Sequence, residues 1–326
     1  MMGINPGGYL SSDSIVPSDQ VGKGDKKGKG IHFKVARGKL LGEYLVTFDS
    51  TTISLWDLMS LLFILLFLYA IIYPQSQLKQ IRLRRMAKLK AMEKSHGCKV
   101  LTMIHRREAI SLFGLPAYQY IDEEDAEQIL RWIRKYKDYP LELILHTPGG
   151  QLHSSIQIAR ALRRHPKNTK VIIPHYSMSG GTIIALAANE IVMDKDAVIG
   201  PIDPQIGDFL HGTYPAPSWI YAAETKKEKA DDTTLVMSDI SRKALKFTRY
   251  VARELLEGKI QPGLTGESRL DEVVEKMVSG EMIHSTPLSA GEAKEIGLSV
   301  STDFPEDVHE FMKLFKPVKK SVEYAE

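Results

Sequence analysis

Cysteine is almost missing from this sequence, and neither sign of charge is in large excess. The single cysteine, Cys98, excludes a disulfide within the chain and is typical of a reducing compartment. A formal net charge of +3 is too small to indicate a nucleic acid as partner. The sequence also lacks a cluster of metal-ligating residues and a Gly-x-x-x-x-Gly-Lys-Ser/Thr loop. We therefore expect neither a metal nor a nucleotide cofactor.

Apolar residues, in contrast, are plentiful. They make up 43% of the 326 residues, which is enough to fill the core of one large domain with extensions. We find no internal repeat with a period of 20 to 50 residues, of the kind that marks solenoids.

The longest apolar run contains no charged residue from 58 to 78. Its length is that of a helix crossing a bilayer, so we predict a transmembrane helix at 53–76. Trp56 and Tyr73 lie where interfacial aromatics are expected, and we expect Pro74 to end the helix. A buried core helix is the alternative. A cleaved signal peptide is disfavoured because a long, mostly polar segment precedes the run.

Basic residues follow the apolar run in a dense series. They are Lys79, Arg82, Arg84, Arg85, Lys88, Lys90 and Lys94. On the other side, the nearest basic residues are Arg37 and Lys39, with a further basic tract at 23–29. The positive-inside rule predicts a single-pass protein of the cell membrane with the C-terminal side in the cytoplasm, although the tract at 23–29 opposes this orientation. The basic helix could lie on anionic lipid, or simply separate the domain from the membrane.

The remaining boundaries follow from composition. Residues 1–50 are predicted to be a polar, partly disordered segment, with a small strand pair within 31–49. After the membrane span we expect a basic juxtamembrane helix at 77–97, a globular domain at 98–300 and a tail at 301–326.

A serine motif organises the globular domain. The apolar run 171–173 predicts a buried strand, and the run 183–188 predicts a buried helix. Between them lies Pro-His-Tyr-Ser-Met-Ser-Gly-Gly-Thr, so that Ser179 falls where a strand ends and a helix begins. Such a corner exposes a side chain at the positive end of a helix dipole, as nucleophilic serines require. A simple N-cap serine is the alternative.

A second glycine motif precedes the first by about one strand and one helix. The strand predicted at 141–146 runs into Thr-Pro-Gly-Gly, with the glycines at Gly149 and Gly150, and a helical pattern follows. A glycine pair at the start of a helix offers free backbone N–H groups. Beside a nucleophilic serine, such donors can form an oxyanion hole.

These motifs resemble those of a known superfamily. HTPGG followed by YSMSGGT is similar to the Clp protease/crotonase superfamily, especially its membrane-bound signal peptide peptidase A branch. The segments LTMIHRRE, YIDEEDAEQILRWIR, LILHTPGG and IGPIDPQIG together resemble the serine dehydrogenase proteinase family, over roughly residues 98–300. A later segment, LSAGEAKEIGLSV, resembles the end of the superfamily core and contains a capping box, Ser289 to Glu292.

The resemblance implies an α/β fold of the Clp/crotonase type, a spiral of repeated strand-helix units. It implies that Ser179 attacks a peptide carbonyl, and that Gly180 together with Gly149 or Gly150 holds the oxyanion. It also implies a peptide or protein substrate and a homo-oligomer.

The resemblance does not decide which residue is the general base. Clp-type proteases use His and Asp, but the matching turn here, at Asp203, has no histidine. Signal peptide peptidase A types use a lysine a little before a Met-Ser helix start, which points to Lys226. A lysine acts as a base only where burial lowers its pKa. The alternative catalytic residues are Ser177 as nucleophile, and Lys227, Lys229, Asp203 and His211 in the place of the base.

We therefore predict a membrane-anchored serine endopeptidase. Labelling of the serine with a fluorophosphonate probe would test this prediction. Two alternatives share the fold. A crotonase-type acyl-CoA enzyme would keep acyl-CoA turnover without Ser179, and a non-catalytic membrane scaffold would never be labelled.

Overall fold

The structure is a computed structural model that describes residues 34–37, 44–48, 51–105, 120–208, 212–260 and 267–315. The chain divides into two compact units, Met1–Ser76 and Gln77–Glu326. The disorder predicted near the N-terminus, the candidate His211 and residues 316–326 of the predicted C-terminal tail lie outside the described residues.

The first unit contains a small antiparallel sheet in the order β1-β2-β3. Its strands are β1 (Lys34–Arg37), β2 (Tyr44–Phe48) and β3 (Thr51–Ser54). The first two form the strand pair expected from the alternation within 31–49. The third strand was not predicted.

Helix α1 (Leu55–His96) contains the long apolar run. Its segment Leu55–Tyr73 has a mean hydropathy of 2.4 and is entirely exposed, so it is not a core helix of the chain. The expectation that Pro74 ends the helix is wrong, since α1 continues past it. A proline removes one backbone hydrogen bond, and helix-forming residues on both sides keep the remaining ladder intact.

The second unit is built on a five-stranded sheet in the order β13-β8-β6-β5-β4, with all neighbours parallel. Its strands are β4 (Lys99–Ile104), β5 (Leu141–His146), β6 (Thr169–Ile173), β8 (Glu190–Met193) and β13 (Val300–Ser301). A smaller sheet has the order β12-β9-β7. It consists of β7 (Tyr176–Ser177), β9 (Val198–Ile199) and β12 (Leu288–Ser289).

Helices follow most strands. They are α2 (Glu123–Lys135), α3 (Leu152–Arg163), α4 (Gly180–Ala187), α5 (Ala216–Lys226), α6 (Asp232–Leu256), α7 (Glu267–Val278), α8 (Ala290–Glu295) and α9 (Glu306–Met312). A hairpin of β10 (Gln205–Asp208) and β11 (Gly212–Pro215) precedes α5. The polar composition of residues 206–236 predicts an irregular segment; this expectation is wrong, because the stretch holds the hairpin and α5.

The five-stranded sheet is covered on both faces, which explains why its strands are nearly continuous apolar runs. On one face, Leu143 and Ile173 pack in the main core with α2, α3 and α4. On the other face, Ile144 and Ile172 contact a second cluster that contains Met92 of α1 and residues of α9. This arrangement of repeated strand-helix units confirms the predicted α/β spiral.

The topology gathers the two glycine motifs at one edge. Thr147 is bridged to Ser177 beside the ends of β5 and β7, and the N–H of Met178 donates to the carbonyl of Thr147 at 3.0 Å. Because β7 and β9 are parallel, the segment after Ile199 emerges beside the segment after Ser177. The Thr-Pro-Gly-Gly turn and the Ser-Gly-Gly turn are thus neighbours.

Candidate active site

Ser179 occupies a strained corner between β7 and α4. Its backbone has φ 49° and ψ −116°, and it is the N-cap residue of α4. Among the described residues, Ser179 and Lys227 are the only non-glycine residues with positive φ. Such conformations cost free energy and are concentrated at functional sites. The side chain of Ser179 is partly exposed, at the N-terminus of a helix whose own residues are all buried.

Ser177, the rival nucleophile, is placed differently. Its side chain is completely buried, and its Oγ has no hydrogen-bond partner in the described part of the chain. A Cβ built on Gly181 would lie 2.5 Å from this Oγ, so α4 packs directly over it. A substrate carbonyl has no access to Ser177, and the geometry favours Ser179.

Gly149 lies against Ser179, but its N–H group is already used. The N–H donates to Oγ1 of Thr147 at 3.1 Å, and its carbonyl accepts from the N–H of Ile121 at 2.8 Å. Gly149 has φ +105°. Its contribution is therefore the shape of the turn, and it leaves Gly150 as the donor in the Thr-Pro-Gly-Gly motif.

Two backbone donors face the serine corner. The N–H groups of Gly150 and Gly180 make no hydrogen bond to any residue that the structure describes. They lie close together, since a Cβ built on Gly180 would be 3.4 Å from the nitrogen of Gly150. Two neighbouring backbone N–H groups beside a helix N-terminus can stabilise an oxyanion if both point at it.

A buried network supports the Thr-Pro-Gly-Gly turn, and sequence reasoning missed it. Nδ1 of His105 lies 2.8 Å from Oγ1 of Thr147, the same oxygen that binds the N–H of Gly149. Nε2 of His105 lies 3.2 Å from Oδ2 of Asp125. Burial acts to raise the pKa of Asp125, but the hydrogen bond and charge of His105 and the N–H of Asp122 outweigh it and lower the pKa.

The three candidate lysines lie at the surface. Lys226 ends α5, is 51% exposed, and its Nζ is 3.2 Å from Oδ2 of Asp231. Lys227 and Lys229 lie in a short 3-10 helix (Lys227–Lys229) with no buried residue. None of the three is bonded to Ser179 in the described structure.

Asp203 has a partner that the sequence did not indicate. Its side chain is fully buried, and Oδ1 lies 2.7 Å from Nδ1 of His284. The other carboxylate oxygen accepts from Nε2 of Gln205 at 2.8 Å. The ring of His284 is 27% exposed. The two residues are 81 positions apart, so no local pattern could have linked them.

Lys259 fixes the far end of the helix that begins after Ser179. Its Nζ donates to the three carbonyl groups of residues 186–188, at 2.6 to 2.9 Å. Burial and, to a smaller extent, the charge of Arg163 together lower the pKa of Lys259 to about 8. A cationic side chain at this position satisfies the last carbonyls of α4 and complements its dipole.

A histidine, a cysteine and a carboxylate also cluster away from the serine corner. The ligand atoms of His96, Cys98 and Glu142 lie within 4.8 Å of one another, and these are ligand types that zinc accepts. Both ring nitrogens of His96 already contact carboxylates, Glu142 at 2.6 Å and Asp307 at 3.2 Å. Burial and Glu142 raise the pKa of the Cys98 thiol to about 12. Hydrogen bonds and ion pairs therefore explain why these side chains lie together.

The amino-acid sequence is similar to those of other proteins. Two uncharacterized proteins of Methanocaldococcus jannaschii are similar to it. MJ0137 is 47% identical over 264 residues, which cover 80% of this chain and 89% of that protein. MJ1495 is 43% identical over 279 residues, which cover 85% of this chain and 88% of that protein.

The solved structures that resemble the chain are more distant from it in sequence. A mutant of the 1510-N membrane-bound stomatin-specific protease is 17% identical, covers 66% of this chain and 82% of that chain, and has a TM-score of 0.41. ClpP1 from Listeria monocytogenes is 14% identical, covers 64% of this chain and 93% of that chain, and has a TM-score of 0.40. A sequence model of the ClpP-like SDH-type serine proteinases matches residues 23–325. Because this match extends over nearly the whole sequence, the chain belongs to the ClpP-like SDH-type serine proteinase family.

Proposed function

We propose that this chain is a membrane-anchored serine endopeptidase in which Ser179 is the nucleophile. The observation that carries the proposal is the strained, partly exposed corner at Ser179, beside N–H groups of Gly150 and Gly180 that make no hydrogen bond to the described residues. Membership of a serine proteinase family supports the same reaction class.

The chemistry follows from these positions. Oγ of Ser179 attacks the carbonyl carbon of a peptide bond, and negative charge develops on the carbonyl oxygen. The N–H groups of Gly150 and Gly180 donate to this oxygen, and each such donor contributes roughly 3–4 kcal/mol of transition-state stabilisation. The N-terminus of α4 adds a favourable dipole. The intermediate then collapses, the C–N bond breaks, and the amine leaves with the proton that the base took from Oγ. Water hydrolyses the resulting acyl-enzyme and frees Oγ again.

A general base must take the proton of the Ser179 hydroxyl. A lysine base stays a prediction, and Lys226 is its first candidate. A lysine acts in this way when it is buried, whereas Lys226 is exposed and paired with Asp231. A lysine base would therefore need this segment to be covered in the working enzyme, for example in the homo-oligomer that the family resemblance predicts.

The exposed apolar segment Leu55–Tyr73 supports a membrane anchor. Nineteen residues of α-helix rise about 28 Å, close to the thickness of a bilayer core. The basic residues that follow it favour a cytoplasmic position for the peptidase domain and contact with anionic lipid. The predicted substrate is a peptide or protein segment bound in an extended form along strand edges.

A fluorophosphonate probe tests the nucleophile in the detergent-solubilised full chain. We expect the probe to modify Ser179, as mapped by mass spectrometry of the labelled peptide. Ser179→Ala should remove both the label and peptide cleavage, while Ser177→Ala serves as the matched control and should keep both. A folded wild-type chain that is never labelled would point to the non-catalytic scaffold. Acyl-CoA turnover that survives Ser179→Ala would point to the crotonase-type enzyme.

A further inference from the structure

We infer that the sheet edge carrying Ser179 lies next to the membrane surface, and that its substrates are polypeptide segments close to the span of another membrane protein. This inference rests on the proposed function, because it takes both the serine peptidase and the membrane anchor from there. It adds the direction in which the catalytic edge points and the class of substrate that this direction favours. The evidence is the course of the chain within Gln77–Glu326 and the short stretch before Gln77.

The last part of α1 runs antiparallel to β4. The helix ends at His96, and Gly97, with φ +67°, turns the chain into the strand. Close to this turn, Glu93 contacts the start of β4. One of its carboxylate oxygens accepts from Nζ of Lys99 at 3.0 Å, and the other lies 3.4 Å from the nitrogen of Val100. Earlier residues of α1 therefore lie further toward the carboxyl end of β4.

Arg82 reaches the carboxyl end of this strand. From Glu93 back to Arg82 the helix rises about 16 Å, at about 1.5 Å per residue. From Val100 to His105 the extended chain also rises about 16 Å, at about 3.3 Å per residue. Arg82 and His105 line the same groove between α1, β4 and α2. The two residues therefore lie at about the same height above the turn at Gly97.

Contacts with α9 support the same direction of α1. At the end of α1, Nε2 of His96 lies 3.2 Å from Oδ2 of Asp307, near the start of α9. Just after the end of α9, the carbonyl of Leu314 accepts from the guanidinium of Arg85 at 3.0 Å. The two helices thus run antiparallel on one face of the sheet, and Arg85 lies far from the turn that precedes β4.

Ser179 lies at the same edge of the sheet. Nδ1 of His105 is 2.8 Å from Oγ1 of Thr147, the residue that directly follows β5. The carbonyl of Thr147 accepts from the N–H of Met178 at 3.0 Å, and Ser179 is the next residue. Two contacts therefore connect the end of the groove beside Arg82 with the candidate nucleophile.

The chain enters Gln77–Glu326 beyond this edge. Gln77 precedes Arg82 by five helical residues, which add about 7 Å of rise. The exposed apolar segment ends at Tyr73, and the four residues from there to Gln77 span at most about 14 Å in any conformation. When the apolar segment is inserted in a bilayer, the membrane surface is therefore close to the catalytic edge.

An edge in this position selects substrates by their distance from the membrane. A segment that follows a neighbouring span by about 5 residues stays within about 17 Å of the bilayer, on the side where Ser179 lies. An unstructured segment about 60 residues from its span spreads over about 43 Å. Its concentration at the edge falls with roughly the −3/2 power of the connecting length. Segments close to a span are therefore favoured over distant ones.

Two reporters test the inference in liposomes that contain the full chain. Each reporter is a single apolar span followed by the same unstructured casein segment, chosen because the detergent-solubilised chain cuts it. The segment begins about 5 residues after the span in the near reporter and about 60 residues after it in the far reporter. Both segments lie on the side of the bilayer that the peptidase domain occupies. We expect the near reporter to be cut at least about tenfold faster than the far one.

A linker variant separates distance from sequence preference. About 40 Gly/Ser residues inserted between Ser76 and Gln77 let the peptidase domain move roughly 35 Å from its anchor. We expect this variant to keep the wild-type rate of fluorophosphonate labelling and to lose the preference for the near reporter. The same linker inserted between Gly30 and Ile31, before the apolar segment, is the matched control and should keep the preference.

A labelled chain that cuts the two reporters equally fast, or the far one faster, would overturn the inference while leaving the peptidase in place. A linker variant that keeps the preference for the near reporter would overturn it as well, because the preference would then not depend on the distance between the domain and the bilayer. A chain that is not labelled at Ser179 and cuts no casein would instead overturn the proposed function, and this inference with it.

Discussion

Gly149 and Ser179 are in direct contact, and no side chain fits between them. A Cβ built on Gly149 would lie 2.9 Å from Cβ of Ser179 and 2.9 Å from the carbonyl oxygen of Met178. Real Cβ atoms do not approach so closely, so any larger residue here must displace the serine corner. The Thr-Pro-Gly-Gly turn therefore sets the position of the candidate nucleophile.

Gly149→Ala should reduce fluorophosphonate labelling by about 100-fold, because a displacement of about 1 Å at a nucleophile has an effect of this size. Gly97→Ala is the matched control. Both glycines have left-handed backbones, with φ +105° and +67°, but a Cβ on Gly97 meets nothing within 4 Å. Both variants carry the same kind of backbone strain, so the difference between them isolates the contact with Ser179. Equal labelling rates would remove Gly149 from the site.

Ser177→Ala should keep the labelling rate of wild type and leave the free energy of unfolding unchanged or raise it by up to about 1 kcal/mol. The physical reason is that Oγ of Ser177 is buried without a partner in the described structure, and removing an unsatisfied polar atom relieves a desolvation cost. Urea unfolding followed by tryptophan fluorescence measures the stability. Loss of labelling in this folded variant would exchange the assignments of the two serines.

Local patterns predicted much of the fold and one half of the site. The apolar runs of β5 and β6 and the capping box from Ser289 to Glu292 are local signals, and each forms as expected. The serine corner follows from a strand, a Gly-Gly pair and a helix in sequence. In each case the residues that interact lie within one turn or one strand of each other.

The remainder depends on tertiary register. The pairing of Asp203 with His284 exists because β12 adds to β9 in one register, and His105 reaches Thr147 because β4 pairs with β5. Neither of these side-chain contacts produces a periodic pattern in the sequence. The Met-Ser pair at 237–238, where a helix start was expected, lies inside α6, which begins at Asp232 because Asp231 is its N-cap.

Lys259→Met should destabilise the chain, because the last carbonyls of α4 lose their donor. The size of this effect should depend on pH. The pKa of Lys259 is lowered to about 8 in the folded chain, against an ordinary value of 10.5. Between these two values the unfolded chain binds the proton and the folded chain does not, so this group makes the free energy of unfolding rise with pH.

Urea unfolding of wild type and Lys259→Met at pH 7.5 and pH 10 tests this direction. The stability difference between the two proteins should be larger at pH 10. A difference that shrinks with pH would mean that the carbonyl contacts stabilise the ammonium more strongly than burial destabilises it, and that the pKa is raised instead.

The membrane orientation can be read from introduced cysteines. We expect Glu326→Cys to react with an impermeant maleimide only after permeabilisation of the cells, and Ser12→Cys to react in intact cells. The natural thiol gives little background, because Cys98 is buried and its pKa is raised to about 12. The reverse labelling pattern would place the peptidase domain outside the cytoplasm.

Lys226→Ala and Lys226→Arg test the predicted lysine base. Since Nζ of Lys226 is exposed and paired with Asp231, we expect both variants to label Ser179 within about threefold of the wild-type rate, as surface substitutions usually do. A lysine base predicts the opposite, that both variants fail, because arginine stays protonated and cannot accept the serine proton. Lys227→Ala and Lys229→Ala extend the same comparison to the neighbouring candidates. If one of these lysine variants is folded and unlabelled, that lysine is the base, and its segment must be covered in the working enzyme. If all three lysines are dispensable, the lysine base is wrong.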